Sequence, residues 1–379
     1  MVLTLLNDTM EWVNRRFETR FFHSNYWLVY IVFIAVCLSF FFSFPRMEWK
    51  SIEDGHWNTI VQQAEGKFMD PSIFENLDIR THEAKRYYRI TLPLLARILH
   101  LNILGMLIVQ FILTTLNYYL LASFVYKLTS NKRVTTYLLF ASALAFSFRL
   151  GYNELGGHFD ILPLLLFSVS MSFKRPVFVF LSVFFACWSD ERAIITSLIP
   201  LLYWYQVDEK FNSKQVLSVI AGVVAYSTLR IIVQMVTGYE TPVRGGAVGP
   251  ECMIYTVPIF IPNLIRSLEG FWILVIVYLY YLKEQNKKLL LTGALVVILL
   301  TLIGSLMVFD ISRSMAYLIP IVYLCLYKVK DVLSEKFAFI ILICCFVYPS
   351  NTLFLNEELM VSGNLAIYEI GRWLILHIR

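Results

Sequence analysis

The chain has 379 residues, of which 58% are hydrophobic, 16% aromatic and only 16% charged. Soluble domains are nearer half apolar and about a quarter charged, so an ordinary water-soluble fold is excluded. The formal net charge of +5 is scattered over short connectors, without a basic stripe interleaved with aromatics, and so predicts no nucleic-acid partner.

In chain order, apolar runs recur at 25–44, 101–126, 134–149, 159–173, 176–189, 191–206, 214–236, 269–283, 288–308, 314–328 and 336–353. Measured against a ~30 Å hydrocarbon core, they predict an all-α polytopic membrane protein. It would have about eleven transmembrane helices (roughly nine to twelve) in a single membrane domain covering 1–379. The first run is longer than a signal peptide's apolar core and lacks a small-residue cleavage site, which predicts a retained span. The stretch 45–92 predicts a long first extracytoplasmic loop containing short helices. As one helix, 176–206 would reach ~46 Å, too long for one crossing, so it is divided into two short spans. The segment 355–379, with "NLAIYEIGRWLILHIR", predicts a tail or helix lying on the membrane surface. Five of the six cysteines, Cys37, Cys187, Cys325, Cys344 and Cys345, fall in apolar runs, and no spacing suggests a disulfide framework or a zinc site.

Orientation follows from the cations. With the N-terminus cytoplasmic, alternate connectors hold Lys127, Lys132, Arg133, Lys174, Arg175, Lys210, Lys214, Lys283, Lys287, Lys288, Lys328, Lys330 and Lys336. The short connectors on the other side hold only Arg149, Arg192, Arg244, Arg266 and Arg313, the asymmetry of the positive-inside rule.

That parity sends unusual polar residues to the extracytoplasmic face: "MEWKSIEDGHWN" with Glu53, Asp54, His56 and Trp57; "RLGYNELGGHFD" with Glu154, His158 and Asp160; "SDERA" with Asp190, Glu191 and Arg192; and "FDISRS" with Asp310 and Arg313. Charges near hydrocarbon are costly and tend to face a wet cavity. Each cluster also has a plain reading. Glu53 or Asp54 is placed to cap a helix, Asp190–Glu191–Arg192 to neutralise itself, Asp310 and Arg313 to pair at i, i+3, and His158 to occupy a turn. Arg230, inside an apolar run, is either a lipid-phosphate contact or a charge paired across helices. Their collection on one face favours a site. Carboxylates with a histidine, namely Asp160, Asp190, Glu191 and His158, would suit Mg²⁺ or Mn²⁺ better than zinc.

A long first outer loop carrying "EDGHW" soon after the first span, followed by "RYYRITLPLLARILHLN", "GGHFD", "SDERA" and "DISRSMAYLIP", resembles the GT-C superfamily of membrane glycosyltransferases. The resemblance implies transfer of a sugar from a polyprenyl-phosphate donor in the membrane lipid to a glycan, lipid or protein acceptor, with inversion. It implies Asp54 as general base, with Glu53 as the neighbouring candidate. Arg313 and Arg192, then Arg86, Arg89 and Arg230, would neutralise the phosphate, with His56, Trp57 and Asp310 lining the substrate site. Recognition would fall to loops 45–92 and 237–268, and the setting would be a bacterial inner membrane. A polymerase of lipid-linked oligosaccharides and a flippase or transporter are the competitors. Against transport, the sequence shows no inverted repeat and no pair of glycine- or proline-broken spans.

Overall fold

The computed structural model describes residues 9–11, 22–43, 56–66, 87–153, 157–238, 249–308, 311–347, 355–356 and 359–360. The helices of the first half are α1 (Trp27–Ser43), α2 (His56–Glu65), α3 (Thr91–Leu99), α4 (Ile103–Thr129), α5 (Lys132–Leu144), α6 (Leu150–Asn153), α7 (Ile161–Ser172), α8 (Pro176–Ser189), α9 (Ala193–Thr196) and α10 (Leu198–Asp208). Then follow α11 (Lys214–Thr237), α12 (Met253–Thr256), α13 (Phe260–Leu268), α14 (Phe271–Glu284), α15 (Lys288–Leu306), α16 (Ile311–Met315), α17 (Ile321–Val329) and α18 (Glu335–Val347). Apart from a two-residue antiparallel ladder, Leu355–Asn356 with Leu359–Met360, the regular elements among the described residues are helical. That ladder stands where a surface helix is expected; most of 355–379 lies outside the described residues.

Local chemistry explains several boundaries. Asn102 and Asn131 open α4 and α5 by accepting backbone N–H groups of Gly105, and of Arg133 and Val134, and Ser213 does the same for Val216 at the start of α11. Such caps satisfy donors that a helix leaves unpaired.

Each expected apolar run coincides with a helix, but the number of spans needs correction. Among the described residues three helices, α4, α11 and α15, have the length and hydropathy to cross a membrane, and up to five spans result if each of two bent pairs is one crossing. Helices α7 and α8 have 12 and 14 residues, a rise of only ~18–21 Å. Composition registers apolarity but not where a helix stops or bends. The long helices turn Leu104, Ile108, Ile112, Val224, Ile231, Met235, Leu295 and Leu299 outward, the inverse of a soluble surface. The protein is an α-helical membrane protein.

Inside, α4 packs against α1, α5 and α7, while α8 lies between α7 and α11. Polar side chains join these helices where no water can. Ser39 Oγ donates to the Ala143 carbonyl at 3.1 Å and lies 2.7 Å from the Tyr118 hydroxyl, and Ser168 Oγ donates to Asn117 Oδ1 at 2.7 Å. Gln206 links the Leu324 carbonyl to the Tyr278 hydroxyl. Side-chain hydrogen bonds of this kind hold helices together in lipid.

Two helix pairs are bent at short breaks, one at Ala145 and one at Glu269–Gly270. Lys132–Leu144 meets Phe146–Asn153 at 76°, and Pro250–Leu268 meets Phe271–Glu284 at 87°. The breaks interlock. Glu269 Oε1 accepts the Phe146 N–H at 3.1 Å, and Ser147 Oγ donates to the Ser267 carbonyl. Arg149, wholly buried, donates to the Leu144 carbonyl at 3.0 Å and has Glu269 as an electrostatic neighbour. Part of the expected recognition loop 237–268 is therefore helical over 250–268, with Ile254, Val257, Ile261 and Ile265 exposed.

Gly270 sits at the second break, where an added Cβ would lie 2.4 Å from the Ile341 carbonyl oxygen; around Gly304 nothing lies within 4 Å. Gly270→Ala should cost about 1–3 kcal/mol through overpacking, whereas Gly304→Ala should be neutral or stabilising by up to about 1 kcal/mol. Unfolding midpoints of the two purified variants in one detergent check the contrast.

Candidate functional site

Four segments far apart in sequence meet at one end of the bundle: the approach to α3, the turn before α7, the α8–α9 junction and α16. In "SDERA", Asp190 ends α8 and accepts the Arg192 backbone N–H at 2.9 Å, an Asx turn that lets the chain reverse with almost no loop. The same carboxylate takes the Arg192 guanidinium on both oxygens, at 2.8 Å each.

Arg192 also reaches Asp160 Oδ1 at 3.0 Å and Ser314 Oγ at 2.9 Å, with its Cζ 4.5 Å from the Tyr317 ring centre. Arg313 Nε donates to Asp160 Oδ2 at 2.6 Å, and the Tyr317 hydroxyl donates to Asp160 Oδ1 at 3.3 Å. Arg89 bridges Asp190 at 3.0 Å and Glu191 at 3.1 Å. Three carboxylates thus face three guanidinium groups, and the cluster is formally neutral.

The cluster is graded from inside to rim. Asp160 and Asp190 are 2% exposed, while the Arg89 and Glu191 side chains are 15% and 39% exposed. Burial by itself would push the Asp190 carboxyl up, but Arg192 and Arg89 outweigh it and hold the group well below the usual carboxylate range. With a depressed folded-state pKa, the stability that Asp190 contributes is complete above the ordinary carboxylate pKa and is lost only as pH falls through the depressed value. Burial likewise opposes the charge on Arg89, and Asp190 and Glu191 reverse that, raising its pKa above the usual arginine value.

Beside Arg89 a small cavity of about 20 Å³ is bounded by Gln63, His158, Phe159 and Ser189, room for about one water. Helix α2 roofs it. Trp57 is fully buried, and a Cβ on Gly157 would meet its ring at 3.2 Å. The turn beneath holds Gly157 at φ 80° and Phe159 at φ 59°. A bulky residue in the left-handed region is strained, and this strain sits next to Asp160.

Of the residues singled out from sequence, Asp160, Asp190, Glu191, Arg192, Arg313 and Arg89 come together, with His158 and Trp57 at the edge. Arg230 stands beside the group: it bonds the Tyr226 hydroxyl and lies over the ring of Tyr88, the residue before Arg89, at 4.6 Å. Glu53, Asp54, Arg86, Asp310 and Glu154 lie outside the described residues, as does the side chain of His56. Ser314, Tyr317 and Gln63 went unnoticed in the sequence. Tyr317 stands four positions beyond Arg313, a spacing that a helical reading of "SRSMAY" puts on one face with it, whereas Ser314, one position on, has no such signal. Gln63 follows His56 by two turns and has no such marker.

The carboxylates expected to hold Mg²⁺ or Mn²⁺ pair with arginine in this structure. Both oxygens of Asp160, Asp190 and Glu191 are already engaged by arginine, and among the described residues no three His, Cys, Asp or Glu converge as metal ligands. No known protein family, curated protein or solved structure matches the chain.

Asp160→Asn leaves Arg313 and Arg192 facing a neutral group in a buried site and should cost about 3–5 kcal/mol. Glu191→Gln, at the exposed rim, should cost under about 1 kcal/mol. Thermal unfolding of both variants measures the gradient; equal losses would mean that the network is uniform rather than graded.

Proposed function

We propose that the protein is a membrane glycosyltransferase of the GT-C kind, taking a sugar from a polyprenyl-phosphate donor in a bacterial inner membrane. On this proposal the short helices complete the membrane domain, with the N-terminus cytoplasmic and the arginine network extracytoplasmic. The observation that carries it is the gathering of Arg89, Arg192 and Arg313 from three distant segments into one network at the end of an apolar bundle. Planar guanidinium forks grip phosphate oxygens in pairs, and an apolar wall beside them suits a lipid tail.

Glu191 is the exchangeable partner. As the most exposed carboxylate, it is the least costly to release, and a donor phosphate would take its place against Arg89 while Asp160 and Asp190 keep Arg313 and Arg192 in position. Asp54 lies two residues ahead of α2, the helix that roofs this region. As general base it takes the proton of the acceptor hydroxyl while that oxygen attacks the anomeric carbon. The bond from that carbon to the donor phosphate breaks, polyprenyl phosphate leaves, and the single displacement inverts the centre. No step is routed through a metal.

A second reading, transport, is favoured by the two interlocked helix breaks with buried Arg149 and Glu269, since broken helices often mark transporter binding sites.

Purified protein incubated with a panel of polyprenyl-phosphate sugars should transfer at least one. Asp54→Asn should slow that transfer about 10²–10⁴-fold without changing the unfolding midpoint. Absence of transfer from every donor, together with substrate counterflow in proteoliposomes that Glu269→Gln abolishes, would favour transport instead.

A further inference from the structure

The opposite end of the bundle carries a second charged feature that the transfer chemistry leaves unused. From Arg192 to Glu209 through α9 and α10, and from Arg313 to Lys328 through α16 and α17, the chain rises roughly 22–25 Å away from the arginine network. There a cavity of about 450 Å³ opens between the end of α10, the start of α15 and the end of α17, bounded by Gln206, Glu209, Asn286, Lys287, Lys288 and Lys328. Its size is that of a small-molecule pocket, whereas the cavity beside Arg89 is about 20 Å³.

Three ammonium groups face one carboxylate. The Lys287–Glu209 pair spans 3.6 Å, with the two side chains 45% and 76% exposed, so it holds weakly and exchanges readily. Lys328 lies 5.5 Å from the Tyr281 ring centre and feels the charges of Glu209 and Asp331, but neither Lys328 nor Lys288 has a carboxylate at ion-pair distance among the described residues. The wall also includes the first turn of α15, which lacks a side-chain cap and so keeps backbone N–H donors available. Helix α15 is long and apolar enough to cross a membrane, and on that threading its lysine-bearing start, with the cavity, falls at headgroup depth.

We propose that this lysine-lined cavity binds a phosphate ester. Cations surplus to the local carboxylates call for an anion, Asn286 adds an amide group suited to an alcohol moiety, and the volume exceeds that of bare phosphate. A lipid headgroup and a small free phosphate ester share this chemistry. Being at the other end of the bundle, the site stands or falls independently of the transferase assignment.

The test uses full-length protein in phosphatidylcholine nanodiscs. One arm titrates glycerol 3-phosphate; the other raises the mole fraction of phosphatidic acid. A saturable rise in unfolding midpoint is expected in at least one arm, and which arm responds identifies the source. Lys288→Gln and Lys328→Gln should each weaken it roughly fivefold, and Lys330→Gln, on the same end but outside the cavity, should not. Lys288 is exposed, so its replacement leaves folding intact and keeps the test decisive. No saturable response in either arm, unchanged response in Lys288→Gln, or equal weakening by Lys330→Gln would overturn the proposal.

Discussion

A charge inside an apolar bundle must be neutralised where it stands, because neither lipid nor core can solvate it. The end of this bundle is arranged around that constraint. Asp160 cannot be buried at 2% exposure without Arg192 and Arg313, and those arginines come from segments 32 and 153 residues away. The pairing therefore aligns the start of α7, the α8–α9 reversal and α16. Packing among apolar faces permits many small rotations; a guanidinium that must reach two carboxylates permits far fewer. The polar network thus acts as the register mark for helices whose outer surfaces carry little orienting information.

The same constraint accounts for the helix breaks. A break exposes backbone groups, and at membrane depth these need partners within the protein. Here each break serves the other: Glu269 receives the Phe146 N–H, and the Ser267 carbonyl receives the Ser147 hydroxyl. Neither interrupted pair would be satisfied alone, so the two bends form one unit. Gly270 lets this unit approach α18 closely enough that a side chain would not fit.

The two ends of the bundle differ in the kind of cation they use. Arginine, with its planar fork and weak hydration, can be held among buried carboxylates, and it dominates the closed network. Lysine, compact and strongly hydrated, stays at the wet rim, and it dominates the open cavity of about 450 Å³. Among the described residues one end is closely neutralised, with Glu191 the most exposed of its three paired carboxylates. The other holds surplus positive charge.

Much of the helical order was legible in the amino-acid sequence. Apolar runs bounded by lysines mark where helices form, because lipid-facing helices must be apolar and their cations collect at the ends. Polar outliers such as "SDERA" and "GGHFD" were visible too, as charges where charge is costly. Composition could not reveal that α7 and α8 stop after 12 and 14 residues, that two helices bend by 76° and 87°, or that 250–268 is helical, since each depends on contacts with distant segments. Nor could it disclose that the carboxylates read as metal ligands are held by arginines, or that Ser314 and Tyr317 complete Asp160's surroundings. The sequence by itself determined an α-helical membrane protein, the positions of its helices and the residues expensive enough to need partners. Only the tertiary structure decided which partners they received, because neutralising a buried charge is a property of two side chains at about 3 Å and not of either one along the chain.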